Sequence, residues 1–243
     1  MNDESSHDTN APRADAKPPT DAAALDSAGN ATGDPAQQSP WKSRAVLTLV
    51  VAALLALATD LLSKSLAFKH IADAPVIVNR EAVLAASPDL RGLVPFHDPV
   101  VVVPKLLNFT LVLNPGAVFG MGAGKRIFFV LFTLLAVPFA LWVFGSWTRA
   151  RDRWAHVGIG MMLGGGLGNL FDRIVHGCVR DFIHPLPGVE WPFGWSTPFG
   201  GGTEIWPYVS NLADLWLIIG IGLLLVHLWR GGKTHAGVQE AAT

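Results

Sequence analysis

Four long runs of apolar residues divide the chain, and each is close to the length that a helix needs to cross a lipid bilayer. A hydrocarbon core of about 30 Å requires about 20 residues at a rise of about 1.5 Å each. The runs cover residues 45–68, 127–147, 154–171 and 211–229. The third is rich in glycine, with small-x-x-x-small spacing that lets another helix approach closely. This pattern predicts a mainly α, integral membrane four-helix bundle.

Shorter patterns between the runs indicate strands and an aromatic loop. Residues 100–103 are all valine and residues 106–113 partly alternate, which is typical of short strands. The segment 184–209 is rich in proline and glycine and carries Trp191, Trp195, Trp206 and Tyr208. Such side chains suit the headgroup level of a membrane. Two interpretations of this segment stay open: a flexible loop with anchoring aromatics, or a lid over a site.

Composition changes the picture at the two ends of the chain. Residues 1–40 hold seven acids and two bases, and contain no Phe, Trp, Tyr, Ile or Val. Such a segment cannot bury enough apolar surface to offset its chain entropy. We predict a disordered acidic N-terminal tail over residues 1–40, a four-span membrane domain over 41–232 and a flexible C-terminal tail over 233–243.

Overall composition excludes several classes of protein. Half of the residues are hydrophobic and 15% are charged, whereas soluble domains carry about 25% charged residues. This composition argues against a soluble enzyme. A net charge of −1 provides no concentrated basic face, which argues against nucleic acid as a partner. Cys178 is the only cysteine, so an intrachain disulfide and a multi-cysteine metal site are excluded.

Basic residues near the ends of the runs predict the orientation, because such residues are retained in the cytoplasm. They flank the first run, fill the short loop after the second and follow the last: Lys42, Arg44, Arg149, Arg151, Arg153, Arg230 and Lys233. Bases also occur on the opposite side, but the short arginine-rich loop favours both termini in the cytoplasm. The segments 69–126 and 184–209 then lie on the outer side.

Polar residues are costly at membrane depth, and here they gather in five groups at the predicted outer ends of the runs. Each group also has a purely structural explanation: an i,i+4 ion pair near the interface, a turn, a snorkelling arginine, a loop acid or a helix cap. The groups are Asp60 with Lys64, Asn114 to Gly120, Gly168 to Arg173, Val179 to Ile183, and Ser210 to Asp214.

Asp181 and Asp214 offer something that these structural explanations leave out. They come from separate segments and are predicted to lie at the same membrane depth. Two carboxylates held close in a low-dielectric site cannot both ionise readily, so one keeps a proton while the other can take one from water. This is the chemistry of an aspartic protease. Which acid holds the proton stays open, because the titration belongs to the pair.

These residues resemble those of signal peptidase II, the bacterial lipoprotein signal peptidase family of four-span membrane aspartic proteases. Five blocks match in order and in placement. They are Asp60-x-x-x-Lys64, Asn114-x-Gly116-Ala117-x-Phe119, Gly168-Asn169-x-x-Asp172-Arg173, Val179-x-Asp181-Phe182-Ile183 and Asn211-x-Ala213-Asp214.

The resemblance implies that Asp181 and Asp214 form the catalytic dyad. The dyad would activate a water that attacks the peptide bond just before a diacylglyceryl-modified cysteine, releasing the signal peptide of a prolipoprotein. By the same resemblance the pair Asp60 and Lys64 is structural. Substrate binding or support of the dyad is implied for Asn114, Gly116, Asn169, Asp172, Arg173, Asn211 and Ala213.

The family fold adds a small extracytoplasmic β-cradle and a periplasmic helix to the bundle, and no metal or organic cofactor is implied. We expect a monomer in the bacterial cytoplasmic (inner) membrane, surrounded by membrane lipids, with its active site near the outer leaflet. The alternative is a small membrane transporter or scaffold whose acids line an ion path. A transporter would place ionisable groups near the midplane and often show repeated halves, whereas here the acids cluster at one face.

Overall fold

The computed structural model describes residues 39–42, 44–116, 126–196 and 202–240, and for residues 42, 126 and 231–240 it describes the backbone alone. The predicted tail over residues 1–40 lies almost wholly outside the described residues. Positions 117–120 of the second polar group, which include Phe119 of the matching block, also lie outside them. The domain boundaries given above stay predictions.

Five α-helices form most of the structure, and four of them coincide with the apolar runs. They are α1 (Arg44–His70), α2 (Arg80–Ala86), α3 (Arg126–Trp147), α4 (Arg153–Val175) and α5 (Leu212–Glu240). The resemblance implied one additional helix without giving its residues, and the short α2 lies between α1 and the strands. The helix α5 continues through most of the segment predicted as a flexible C-terminal tail.

Three helices are long and apolar enough to cross a membrane among the described residues: Arg44–His70, Ile127–Trp147 and Leu212–Arg230. The predicted fold class is therefore confirmed as a mainly helical membrane protein, with three apolar spans rather than four. The helix α4 differs because its glycines and polar residues lower its hydropathy. Twelve of its 23 residues are buried. Because neighbouring helices, rather than lipid, surround much of α4, its residues need not be strongly apolar.

Glycines let α4 pack closely between α1 and α5. A Cβ added at Gly160 would lie 2.6 Å from the carbonyl oxygen of Leu49 in α1, and one added at Gly158 would lie 2.9 Å from that of Gly220 in α5. Neither backbone leaves room for a side chain at these contacts. The prediction that the glycine-rich run packs closely against other helices is confirmed.

A three-stranded antiparallel sheet lies beyond one end of the helices. Its strands are β1 (Val100–Val103), β2 (Leu107–Asn114) and β3 (Val179–Pro185), in the order β1-β2-β3. The first was predicted with these bounds, the second is shifted by one residue, and the third contains the apolar segment around Asp181. In the register of β2 with β3, Val112 pairs with Asp181.

Two clusters of buried apolar side chains join the elements at the two ends of the helices. The cluster under the sheet joins α1, α2, β2 and β3 through Ala67, Phe68, Val83, Leu111, Leu113, Cys178 and Phe182. The cluster at the other end joins α1, α3 and α4 through Ala45, Leu49, Val143, Phe144, Ile159 and Leu163. The first cluster matters for function because it fixes the sheet against the end of α1.

The aromatic segment after β3 has local backbone pairing in its described part. Trp191 N donates to the carbonyl of Thr203 at 2.8 Å, and Ile205 N donates to that of Val189 at 2.7 Å. Phe193 and Trp195 are 90% and 62% exposed. This exposure suits a membrane interface under both interpretations, so the choice between anchored loop and lid stays open.

Candidate active site

Backbone hydrogen bonds place Asp181 beside the start of α5. The amides of Phe182 and Ile183 donate to the carbonyl oxygen of Ser210 at 2.9 and 2.8 Å, and Ser210 N donates to the carbonyl of Ile183 at 2.8 Å. The segment before α5 therefore lies along β3. This pairing brings Asp181 close to the residues that open the helix, although 30 positions separate it from Asn211 in sequence.

Asn211 caps α5 and also joins the two acids. Its Oδ1 accepts from Asp214 N at 3.2 Å, while Asp214 Oδ2 accepts from Asn211 N at 3.1 Å, which is the reciprocal pattern of a capping box. The side-chain Nδ2 of Asn211 donates to Asp181 Oδ1 at 2.6 Å. The structural explanation of this group as a helix cap is correct, and the same side chain also links Asp181 to Asp214.

Asp181 is almost completely buried, with 1% of its surface exposed. Its second oxygen, Oδ2, accepts from Asn114 Nδ2 at 3.0 Å. The amide of Gly116 donates in turn to Asn114 Oδ1 at 2.9 Å, from a backbone with φ of 106° that favours glycine. Burial, and then the charge of Asp214, raise the pKa of Asp181 to about 7, against the lowering effect of the hydrogen bonds from Asn211 and Asn114.

Asp214 is less enclosed than Asp181 and lines a cavity. Its Oδ1 accepts from Asn169 Nδ2 at 3.0 Å. The amide oxygen of Asn169 accepts from Lys64 Nζ at 2.8 Å and from Asn211 Nδ2 at 3.1 Å. These two donors fix the amide of Asn169 so that its nitrogen points at Asp214.

Lys64 links an acid of α1 with an acid of α4 from a fully buried position. Its ammonium group lies 2.8 Å from Asp60 Oδ2 and 3.5 Å from Asp172 Oδ2, and all three side chains have no exposed surface. Asp60 Oδ1 accepts from Ala213 N at 2.9 Å. The predicted ion pair forms, and it is buried inside the protein, where it contacts Asn169 and the first turn of α5. Its position near the membrane interface stays a prediction.

Sequence reasoning missed Arg180, which binds Asp172 with three hydrogen bonds. Its Nη2 and Nε donate to Asp172 Oδ1 at 2.8 and 3.2 Å, and its backbone N donates to Oδ2 at 3.0 Å. A charged side chain within a buried strand requires a charged partner, and this was the available signal. The interaction fixes β3 to α4 at the residue next to Asp181.

Arg173 lies at the mouth of the same cavity. Its Nη1 donates to the carbonyl of Asn169 at 3.1 Å, and its guanidinium lies 5.0 Å from the ring centre of Phe129.

The contacts described above join all the predicted site residues into one region of the structure. These residues are Asp181, Asp214, Asn114, Gly116, Asn169, Asp172, Arg173, Asn211, Ala213, Asp60 and Lys64. Within the described part of the chain, no group of three or more His, Cys, Asp or Glu side chains is arranged to hold a metal ion.

A cavity of about 620 Å³ extends from Asp214 between α3, α4 and α5. Its polar end contains Asn169, Arg173 and Asp214, and the rest is mostly apolar. The apolar walls include Phe128, Phe132, Met162, Gly166, Leu217 and Leu224. From Asp214 to Leu224 the wall follows ten residues of α5, a helical rise of about 15 Å.

Comparison with known proteins shows the family to which the chain is similar. Residues 52–230 match the family model described as signal peptidase (SPase) II. The lipoprotein signal peptidase of Anaeromyxobacter sp. (strain Fw109-5) is 31% identical over 212 residues, covering 83% of this chain and 93% of that protein. The lipoprotein signal peptidase of Desulfitobacterium hafniense (strain DSM 10664 / DCB-2) is 31% identical over 138 residues, covering 56% and 78%.

A solved structure has the same fold. It is a bacterial membrane enzyme determined by the in meso method at 2.3 Å resolution, with a TM-score of 0.54 at 23% identity, covering 78% of this chain and 92% of that one. The family model spans most of the chain, and the Anaeromyxobacter relative is covered almost throughout. This chain belongs to the signal peptidase II family, the bacterial membrane aspartic peptidases that cleave the signal peptides of prolipoproteins.

Proposed function

We propose that Asp181 and Asp214 are the catalytic dyad, and that the chain cuts diacylglyceryl-modified prolipoproteins just before the lipidated cysteine. The observation that carries this proposal is the position of Asn211, which bonds to both carboxyl groups at once. A buried acid with a raised pKa beside a second, more accessible acid is the arrangement that acid–base cleavage of a peptide bond needs.

Each acid has a distinct role in this mechanism. Asp214, in the first turn of α5 where the helix dipole favours a negative charge, takes a proton from the attacking water. Protonated Asp181 donates its proton to the oxygen of the scissile carbonyl as the water oxygen bonds to the carbonyl carbon. In the second step Asp214 gives its proton to the cysteine nitrogen, the C–N bond breaks, and Asp181 recovers its proton from the hydroxyl group.

The direct test compares two synthetic peptides of the same sequence, one with a diacylglyceryl group on its cysteine and one without. The purified protein should cleave the lipidated peptide before the cysteine and leave the other uncut, at a rate unaffected by a metal chelator. We also propose that the active species is a monomer, because the hydrogen bonds that join Asp181, Asn211 and Asp214 are all made within a single chain. Dimeric mass of the active species in detergent would contradict that part of the proposal.

The rate of cleavage should fall as pH is raised through about 7, because Asp181 then loses the proton that it must donate. Asn114→Ala removes a hydrogen bond that favours the charged form of Asp181, so the alkaline limb of the kcat profile should move to higher pH. A profile that stays flat to pH 9, or a limb that moves to lower pH in the variant, would contradict this assignment.

We propose that the apolar cavity holds apolar groups of the substrate next to the acids. A Cβ at Gly166 would contact only Thr133, at 3.9 Å, so the backbone accepts a side chain there, and Gly166→Leu reduces the volume of the cavity. This variant should raise KM severalfold while kcat changes little, because the lost contacts are equal in ground and transition states. Gly222→Leu, at a position with nothing within 4 Å, is the matched control. Equal KM values in the two variants would contradict a substrate role for the cavity.

We propose further that both termini are cytoplasmic and that the acids lie near the outer leaflet, as the arginine-rich loop between α3 and α4 suggests. Cysteines introduced at Gly92 and Arg149 in a Cys178→Ala background test this in intact cells. Gly92 lies in open space and Arg149 is exposed. An impermeant thiol reagent should label the cysteine at 92 and not the one at 149, and the reverse pattern would invert the topology.

A further inference from the structure

A second cavity, of about 540 Å³, lies at the ends of the helices opposite to the acids. It is formed by the loop between α3 and α4, the first turn of α4 and the later part of α5. Its charged and aromatic walls are Arg151, Asp152, Arg153, Trp154, His227 and Arg230. The mechanism proposed above uses none of these residues.

The charge of this cavity is positive. Three arginines line it against one acid, and Arg151 and Arg153 are exposed. The carboxylate of Asp152 is already engaged, since its Oδ2 accepts from Arg149 N at 2.8 Å and lies 3.7 Å from His227 Nε2. Its side chain caps no amide of α4, so the positive end of the helix dipole adds to the charge of the arginines.

Exposed tryptophans place this cavity at the level of the lipid headgroups. Trp147, Trp154 and Trp229 are 49%, 71% and 64% exposed, and all three lie at this end of the helices. Tryptophan is enriched where membrane meets water, because its ring is apolar and its N–H is polar. The cavity wall also includes Leu223 and Val226 of α5, so a charged end and an apolar side meet in one site.

We propose that this cavity binds the phosphate of an anionic phospholipid, with an acyl chain lying along Leu223 and Val226. Guanidinium groups form paired hydrogen bonds with phosphate oxygens, and basic pockets between transmembrane helices suit anionic headgroups. The combination of arginines, headgroup depth and an adjoining apolar wall favours a lipid over a soluble phosphate. This site is independent of the catalytic proposal and would exist if the assignment of the acids failed.

Native mass spectrometry of the full chain, with phosphatidylglycerol, phosphatidylcholine or inorganic phosphate added, tests the proposal. Phosphatidylglycerol should give a discrete bound species. The Arg151→Gln/Arg153→Gln variant should bind phosphatidylglycerol with an affinity about 25-fold lower than that of the unmodified chain. Each arginine near a membrane surface raises the affinity for an anionic lipid about fivefold. The matched control, Arg44→Gln/Arg149→Gln, removes two exposed charges near the same end that do not line the cavity.

The control variant should keep the affinity of the unmodified chain, and both variants should still cleave a lipidated peptide in detergent, which shows that they are folded. Three results would overturn the proposal. They are equal losses of affinity in the two variants, equal binding of phosphatidylglycerol and phosphatidylcholine, and displacement of the lipid by millimolar inorganic phosphate.

Discussion

Asp181→Asn and Asp214→Asn should each lower kcat for signal-peptide cleavage by about 10⁴-fold, with the protein still inserted and folded. Asparagine keeps the size of the side chain but can neither take a proton from water nor donate an acid proton to a carbonyl oxygen. At position 181 the amide also presents an N–H₂ group to donors that already point at it, Asn114 and Asn211. Rates are measured on a diacylglyceryl-modified peptide.

The matched control is Asp89→Asn, which removes an exposed acid that pairs with Arg91 and lies far in sequence from both catalytic segments. It should cleave at close to the unmodified rate. A folded Asp181→Asn or Asp214→Asn protein that retained more than about a tenth of the unmodified kcat would exclude the dyad, because each acid carries an obligatory proton transfer.

Lys64→Met should destabilise the protein by about 3–5 kcal/mol, the cost of leaving a buried charge without its partner. Asp172 would keep its ion pair with Arg180, whereas Asp60, whose side chain has no exposed surface, would lose the cation that it contacts. Cleavage should fall as well, because Asn169 loses a donor that orients it toward Asp214. Reversible unfolding in mixed detergent micelles measures the change in free energy.

Two further variants separate charge from packing. Arg91→Met breaks an ion pair whose side chains are 90% and 63% exposed, and it should change stability little. Adding Asp60→Asn to Lys64→Met removes the unpaired acid and should recover part of the lost stability. If the double variant is no more stable than Lys64→Met alone, buried charge is not the cause of the loss.

The sequence predicted the helices well because hydrophobic runs of bilayer length have few alternative structures. It also predicted that Asp181 and Asp214 act together, since an acid is costly at membrane depth. It did not predict how they meet. The backbone pairing of Ser210 with Ile183 joins segments 27 residues apart, and no local pattern encodes such a contact.

The buried charges were harder to interpret for the same reason. Asp60 and Lys64 have the i,i+4 spacing of a helical ion pair, and that pair is present. The spacing does not reveal that Lys64 also reaches Asp172, or that Arg180 binds Asp172 from the next strand. Asn211 shows a different limit: its local explanation as a helix cap was sufficient by itself, and it gave no reason to expect a second bond to Asp181.

The unequal packing around α4 determines which side of the cavity can adjust its shape. Its glycines place it in backbone contact with α1 and α5, so that side of the bundle has little freedom to adjust. The opposite wall of the cavity is α3, where large side chains such as Phe128, Phe132 and Phe139 line the cavity. Pro138 interrupts the hydrogen bonds of this helix. If the cavity holds the substrate as proposed, we expect rotations of the rings on α3 to accommodate differences in substrate shape, while the rigid packing of α4 against α5 keeps Asp214 in place.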